Sequence, residues 1–104
     1  SYSSTFKNFH DFCGADEYAN TAVGLLATAG GGSSGGTLEH LRSTFRNVHA
    51  WTVPHEVGIQ GASSKIETGG TDPDAAPRIT DDDLRRRTER LGRAVLEHAE
   101  RLRE

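Results

Sequence analysis

The sequence predicts an α/β protein with parallel strands, and three observations carry that reading. Thr21 to Ala29 is a nearly unbroken apolar run, without the alternation of a half-exposed strand, as a strand covered on both faces shows. Seven residues of glycine and serine follow, Gly30 to Gly36, after which Leu38, Leu41, Phe45 and Val48 recur with helical period. A second short run, His49 to Val53, comes after that helix, and strands separated by a helix join in parallel through a right-handed crossover.

The elements follow in order. Ser3 or Ser4 can cap a short helix through Cys13, with Phe6, Phe9 and Cys13 on one face and Gly14 at its end. Asp16 to Asn20 reads as a polar connection into the first strand. The helix after the glycine run is expected to start near Thr37. The second strand is expected to stop at Pro54, which has no N–H to give to a ladder. Gly61 to Arg78 is rich in Gly, Ser, Thr, Asp and Pro and reads as a mobile loop. Thr80 with Asp83 spells a capping box, Asp81, Asp82 and Asp83 suit the positive end of a helix, and Leu84, Leu91, Val95 and Leu102 mark its buried stripe. That helix is expected to run nearly to Glu104.

Helix, strand, helix, strand, helix leaves only two parallel strands, and a parallel sheet needs cover on both faces and more strands than that. Either a second copy completes the sheet or these residues are part of a larger α/β protein. The second reading is preferred, because the chain opens at Ser1 without an initiator methionine and enters an amphipathic segment at once.

At 104 residues the chain holds one domain at most, and 34% hydrophobic against 26% charged residues is a lean core. The net charge of −3, with ten arginines and two lysines, provides no global basic field for nucleic acid or an anionic membrane. No apolar run approaches the roughly 20 residues of a membrane span, and no secretory leader opens the chain, so a soluble, cytoplasmic protein is expected. Cys13 stands alone, and His10, His40, His49, His55 and His98 show no metal-ligand spacing, so neither a disulfide nor a metal site is expected.

The glycine run occupies the place where open parallel sheets bind ligands, beyond the carboxyl end of a strand and before a helix. Glycines let a backbone approach a flat ring or an anion, and loop N–H groups can donate to carbonyl, ring-nitrogen or phosphate acceptors. In isolation such a run would be a flexible linker, but here it lies between a strand and a helix of one unit. The Walker lysine and the Gly-x-Gly-x-x-Gly fingerprint are both absent. Gly31-Gly-Ser33-Ser-Gly35 also spells the Gly-x-Ser-x-Gly elbow of α/β-hydrolases, with Ser33 as nucleophile, Asp72 or Asp74 as acid and His98 as base. So many glycines make a loose turn rather than a strained elbow, and His98 falls mid-helix, which makes this the weaker reading. Tyr2 could stack on a flat ligand or simply pack. Arg85 to Arg87 read as a solvated face with helical charge pairs rather than a phosphate site.

Ser1-Tyr-Ser-Ser-Thr-Phe-Lys-Asn-Phe-His-Asp11 resembles the segment of the NAD(P)H-dependent FMN reductase family in which a Pro-x-Tyr-x-Gly-Ser flavin turn runs into a helix bearing Leu-Lys-Asn and then Asp. That family continues with an apolar strand, a glycine-rich turn, a Leu-x-x-Leu-Arg helix and a strand ending in Val-Pro, as do Val23 to Ala29, Gly30 to Gly36, Leu38 to Arg42 and Val53-Pro54 here. The resemblance covers roughly residues 1 to 60. It implies a flavodoxin-like three-layer sandwich of which this chain holds the C-terminal half, with the first three strands and the FMN phosphate loop upstream. By carry-over Ser1 and Tyr2 stand at the edge of the isoalloxazine site, and Ala29, Gly30, Gly31 and Gly32 face the ring through backbone groups. Pro54 to Ser64 would border the nicotinamide or electron-acceptor side, or a subunit contact. The implied cofactors are FMN with NADPH or NADH, and the implied assembly is a homo-oligomer, a dimer or tetramer. The implied activity is hydride transfer from nicotinamide to FMN by the parent protein. Whether the 104 residues act alone, or are a non-catalytic flavodoxin-like fragment or interaction module, stays open at this point.

Overall fold

The computed structural model describes residues 13–29, 34–67, 71–72, 74 and 76–103. In order these form α1 (Ala15–Tyr18), β1 (Ala22–Ala29), α2 (Gly35–Asn47), β2 (Trp51–Gln60), a 3-10 turn (Ala62–Ser64), β3 (Ile66–Glu67), β4 (Arg78–Ile79) and α3 (Asp82–Arg103). The expected helix from Ser3 lies outside the described residues apart from its end, and there Cys13 and Gly14 belong to neither helix nor strand.

β1 and β2 pair in parallel, as the helix between them requires, and α2 and α3 cover opposite faces of the pair. The two faces are distinguished by glycines. A Cβ at Gly24 would lie 2.6 Å from Val95 Cγ2 on α3, whereas one at Gly58 would collide with Ser34 Oγ at the start of α2. Leu25 and Ala27 pack with Leu38, Leu41 and Phe45 on the α2 side; Val53, Val57 and Ile59 pack with Leu84 and Leu91 on the α3 side. This is a mixed α/β arrangement of helix, parallel sheet and helix, a partial flavodoxin-like fold. Each fully buried aliphatic side chain in these two clusters contributes about 1.5–3 kcal/mol relative to exposure.

The apolar run of β1 is not covered evenly. Leu25 is 2% exposed but Leu26, on the other face, is 41% exposed. Among the described residues β1 has β2 as its only sheet neighbour.

Four sequence expectations need correction. β2 does not stop at Pro54; it continues to Gln60. Val23 pairs with Thr52 and Leu25 with Glu56, so Gly24 alone stands opposite Val53, Pro54 and His55. The strand bulges there, which is one of the few places a proline's missing N–H costs a ladder nothing. The helix after the glycine run begins at Gly35, two residues before Thr37. Asp16 to Asn20 contains a helical turn, α1, with the Glu17 carboxylate accepting from the Gly14 N–H at 2.7 Å. The last helix is capped by Asp81 rather than by a Thr80 box: Asp81 Oδ1 accepts the Leu84 N–H at 2.8 Å. Leu84, Leu91 and Ala94 are its buried residues, with Val95 packed against them in part.

Within Gly61 to Arg78 the described residues carry the 3-10 turn and a two-residue antiparallel ribbon, Ile66 with Ile79 and Glu67 with Arg78. The arginine run behaves as the charge pattern implied, with Arg85 paired to Asp82 and both Arg86 and Arg87 paired to Asp83 along α3. Among the described residues, no helix is long and apolar enough to cross a membrane.

Candidate functional site

Because β1 and β2 run in parallel, both end at the same edge, with Ala29 opposite Gln60. The Gly61 N–H donates to the Ala29 carbonyl at 3.0 Å, so the exit of β2 is tied directly to the last residue of β1. Gly61 then turns through φ of 62°, the left-handed region that glycine enters without a Cβ penalty. Ser64 N–H and Ser64 Oγ–H both donate to the Gly61 carbonyl, at 3.0 and 2.9 Å, which closes the 3-10 turn.

α2 starts at this edge as well. Ser34 is 5% exposed, lies beneath Gly58, and accepts the Leu38 N–H at its carbonyl at 3.1 Å; its side chain makes no capping hydrogen bond. No acidic residue occupies the first turn of α2. The positive end of this helix is therefore not neutralised by its own side chains, which suits an electron-rich acceptor beside it.

Of the residues singled out from the sequence, Ala29 is placed at the carboxyl end of β1, half-buried and hydrogen-bonded to Gly61. Ser1, Tyr2, Gly30, Gly31 and Gly32 lie outside the described residues, as does Ser33 of the elbow reading. Asp72 Oδ1 accepts the Asp74 N–H at 2.9 Å in a local turn. His98 Nδ1 lies 2.7 Å from the Ala94 carbonyl within α3, one turn past the Val95 that covers Gly24. That places His98 toward the amino end of β1, away from Ser34.

Sequence reasoning missed Ser34, Gly58, Gly61 and the part played by Arg42. The guanidinium of Arg42, projecting from α2, donates to Thr52 Oγ1 at 3.1 Å, to the Val53 carbonyl at 3.3 Å from each of two nitrogens, and to Glu56 Oε2 at 2.9 Å. Its acceptors are the residues just before, within and just after the β2 bulge. The available signal was slight: an arginine in the Leu-x-x-Leu-Arg pattern, and a Gly-x-x-Gly pair at 58 and 61.

At the opposite end of α2, Tyr18 meets Phe45 edge-on, with ring centroids 5.2 Å apart and an interplanar angle of 84°. Burial, then the hydrogen bond and proximity of Cys13, then the Glu17 carboxylate, push the Tyr18 phenol above its ordinary 10.0. This group belongs to the packing of α2, not to the edge formed by Ala29 and Gly61.

The fold and this edge define a class: a parallel α/β unit with a glycine turn and the start of a helix at the carboxyl ends of its strands, where such sheets bind nucleotide-like ligands. Residues 1–64 match the model of the family described as NADPH-dependent FMN reductase, and the chain belongs to that family. It is also 32% identical over 80 residues to an NADPH azoreductase of Bacillus sp. (strain OY1-2), an alignment covering 76% of this chain and 44% of that protein. The chain thus spans less than half the length of this curated relative. No solved structure is detectably similar to it.

Proposed function

We propose that the protein to which these residues belong is a flavin-dependent oxidoreductase, with this chain forming the C-terminal part of its single flavodoxin-like domain. The observation that carries the reading is the family match from residue 1 to residue 64, which takes in β1, α2, β2 and the Gly61 turn. FMN supplies the redox chemistry when bound, taking a hydride from NADPH or NADH and passing electrons to an acceptor. The residues here bind and orient.

The described part of the edge suits a flavin ring: Ala29 ends β1 there, and no acidic side chain in the first turn of α2 would repel an electron-rich acceptor. By the family resemblance, Gly30 to Gly32 would offer backbone without side-chain bulk, and Ser1 and Tyr2 would border the ring. The Gly61 to Ser64 turn, tied to Ala29, would border the nicotinamide or acceptor side, or a subunit contact. By the same resemblance the FMN phosphate would be held by a loop after the first strand of the parent domain, and these 104 residues would carry the ring side of the site. A cytoplasmic homo-oligomer is the expected setting, and an azo compound is the first acceptor to try, given the activity named for the relative.

The test is to mix the full-length protein with FMN and NADPH without oxygen and follow the visible absorbance of oxidised flavin. Bleaching that depends on both protein and NADPH is expected; its absence, with FMN bound, sinks the proposal. FMN titration of the 104-residue chain separates a second possibility, a non-catalytic fragment or interaction module. Tight binding by the chain alone would count against that alternative.

A further inference from the structure

We propose that Arg42 is a positioning residue: by holding the bulge of β2 open, it sets which residue of β2 lies opposite the end of β1 and so brings the Gly61 turn to the flavin-facing edge. The register shows what is at stake. Val23 pairs with Thr52 before the bulge and Ala29 with Gln60 after it. Were the first pairing to continue without the bulge, Ala29 would face Gly58, and the whole exit of β2 would slide forward by two residues, roughly 7 Å at strand rise. Gly61 would no longer meet the Ala29 carbonyl, and Gly58 would no longer lie over Ser34.

A bulge must be held, because it gives up ladder hydrogen bonds and leaves backbone groups to be satisfied elsewhere. Arg42 supplies that hold from outside the sheet. One planar guanidinium reaches Thr52 on the near side, the Val53 carbonyl inside the bulge and the Glu56 carboxylate on the far side. A fork of fixed geometry can bridge these three acceptors in a way that a single point charge cannot. Arg42 sits on α2, whose first residue, Gly35, lies within the glycine run, so the same side chain couples the position of that helix to the register of β2. The Arg42–Glu56 pair is part-exposed, with side chains 34% and 39% accessible, so its worth as an isolated ion pair is small. Its worth is in fixing geometry.

The ligand-binding consequence rests on the flavin reading above; the structural claim does not. Both are measured on the full-length protein as wild type, Arg42→Ala and Arg42→Lys, by amide hydrogen exchange at Gly61 and by FMN titration. In Arg42→Ala the Gly61 amide is expected to exchange about tenfold faster or more, corresponding to loss of charge-assisted hydrogen bonds, while Leu41 and Phe45 amides of α2 keep their protection. FMN affinity is expected to fall by about tenfold. Arg42→Lys keeps the charge but not the fork and is expected to recover only part of both effects. Unchanged Gly61 exchange in Arg42→Ala overturns the proposal, as does acceleration spread evenly over sheet and helices, which marks general destabilisation. If Arg42→Ala does not fold, Thr52→Val and Glu56→Gln each weaken one arm of the clamp, and each must accelerate Gly61 selectively for the proposal to stand. If wild type does not bind FMN, the flavin reading fails while Gly61 exchange still decides the clamp.

Discussion

Gly58→Ala is the substitution whose outcome the packing determines most closely. Gly58 is not in the left-handed region, so its backbone accepts alanine, and restricting the unfolded chain would return about 0.4–1 kcal/mol. The new methyl, however, points at the buried Ser34 Oγ, closer than atoms can approach, while Leu38 Cδ1 and Ser34 Cβ stand at ordinary contact distances of 3.6 and 3.8 Å. Overpacking of this kind costs about 1–3 kcal/mol, which leaves a net loss of roughly 0.5–2 kcal/mol. With a urea slope near 2 kcal/mol per molar, the midpoint of unfolding of the FMN-free full-length protein should drop by about 0.3–1 M. The collision involves a single oxygen, so Ser34→Ala in the Gly58→Ala background should restore most of the loss, because only the ordinary contacts with Leu38 Cδ1 at 3.6 Å and Ser34 Cβ at 3.8 Å then remain. A Gly58→Ala protein as stable as wild type, or one that Ser34→Ala does not rescue, would refute the packing argument and with it the placement of the start of α2 against β2.

Two further expectations follow from the helix cap and from the tyrosine. Asp81→Ala removes the acceptor for the Leu84 N–H and should cost about 1 kcal/mol, read as a fall of a few degrees in Tm, whereas Thr80→Ala should be near neutral; the reverse order would restore the Thr80 box. The Tyr18 phenol, raised by burial and by Cys13, should ionise above pH 10.0 when followed by tyrosinate absorbance against a Tyr18→Phe control. A folded-state value raised above the unfolded one means that its contribution to stability is complete below pH 10 and disappears as pH climbs through the folded value, so alkaline unfolding should be steeper in wild type than in Tyr18→Phe. Ionisation of Tyr18 at or below 10.0 would contradict this.

What could be read in the sequence and what could not divides along physical lines. β1, α2 and α3 were legible because their signals are local: an apolar run, and apolar residues at helical spacing in Leu38, Leu41 and Phe45 or Leu84 and Leu91. Pro54 misled because its penalty applies to a ladder position, and only the pairing partner reveals that residues 53 to 55 stand outside the ladder. Asp81 and Thr80 are adjacent cap formers, and the choice between them depends on a one-residue difference in where the chain turns. Ser34 and Gly58 were invisible, since their contact joins residues 24 positions apart and neither carries chemistry that advertises it. The end of β1 could be located from its apolar run, but the groups that meet or shape that edge, Gly61 and Arg42, come from the register of β2.

The size of the bulge in β2 has a consequence for how this region can vary. Side chains alternate across a strand, so an excursion of two extra residues leaves inside and outside unchanged: Val53 at its start and Val57 and Ile59 after it all face α3, and Gly58 still faces Ser34. An excursion of one residue would turn Val57 and Ile59 out of their cluster and drive Gln60 and Gly58 across the sheet. Length change between Thr52 and Glu56 is therefore tolerable in even steps only, a parity rule under which Pro54 and His55 are gained or lost together while the faces of the sheet stay intact.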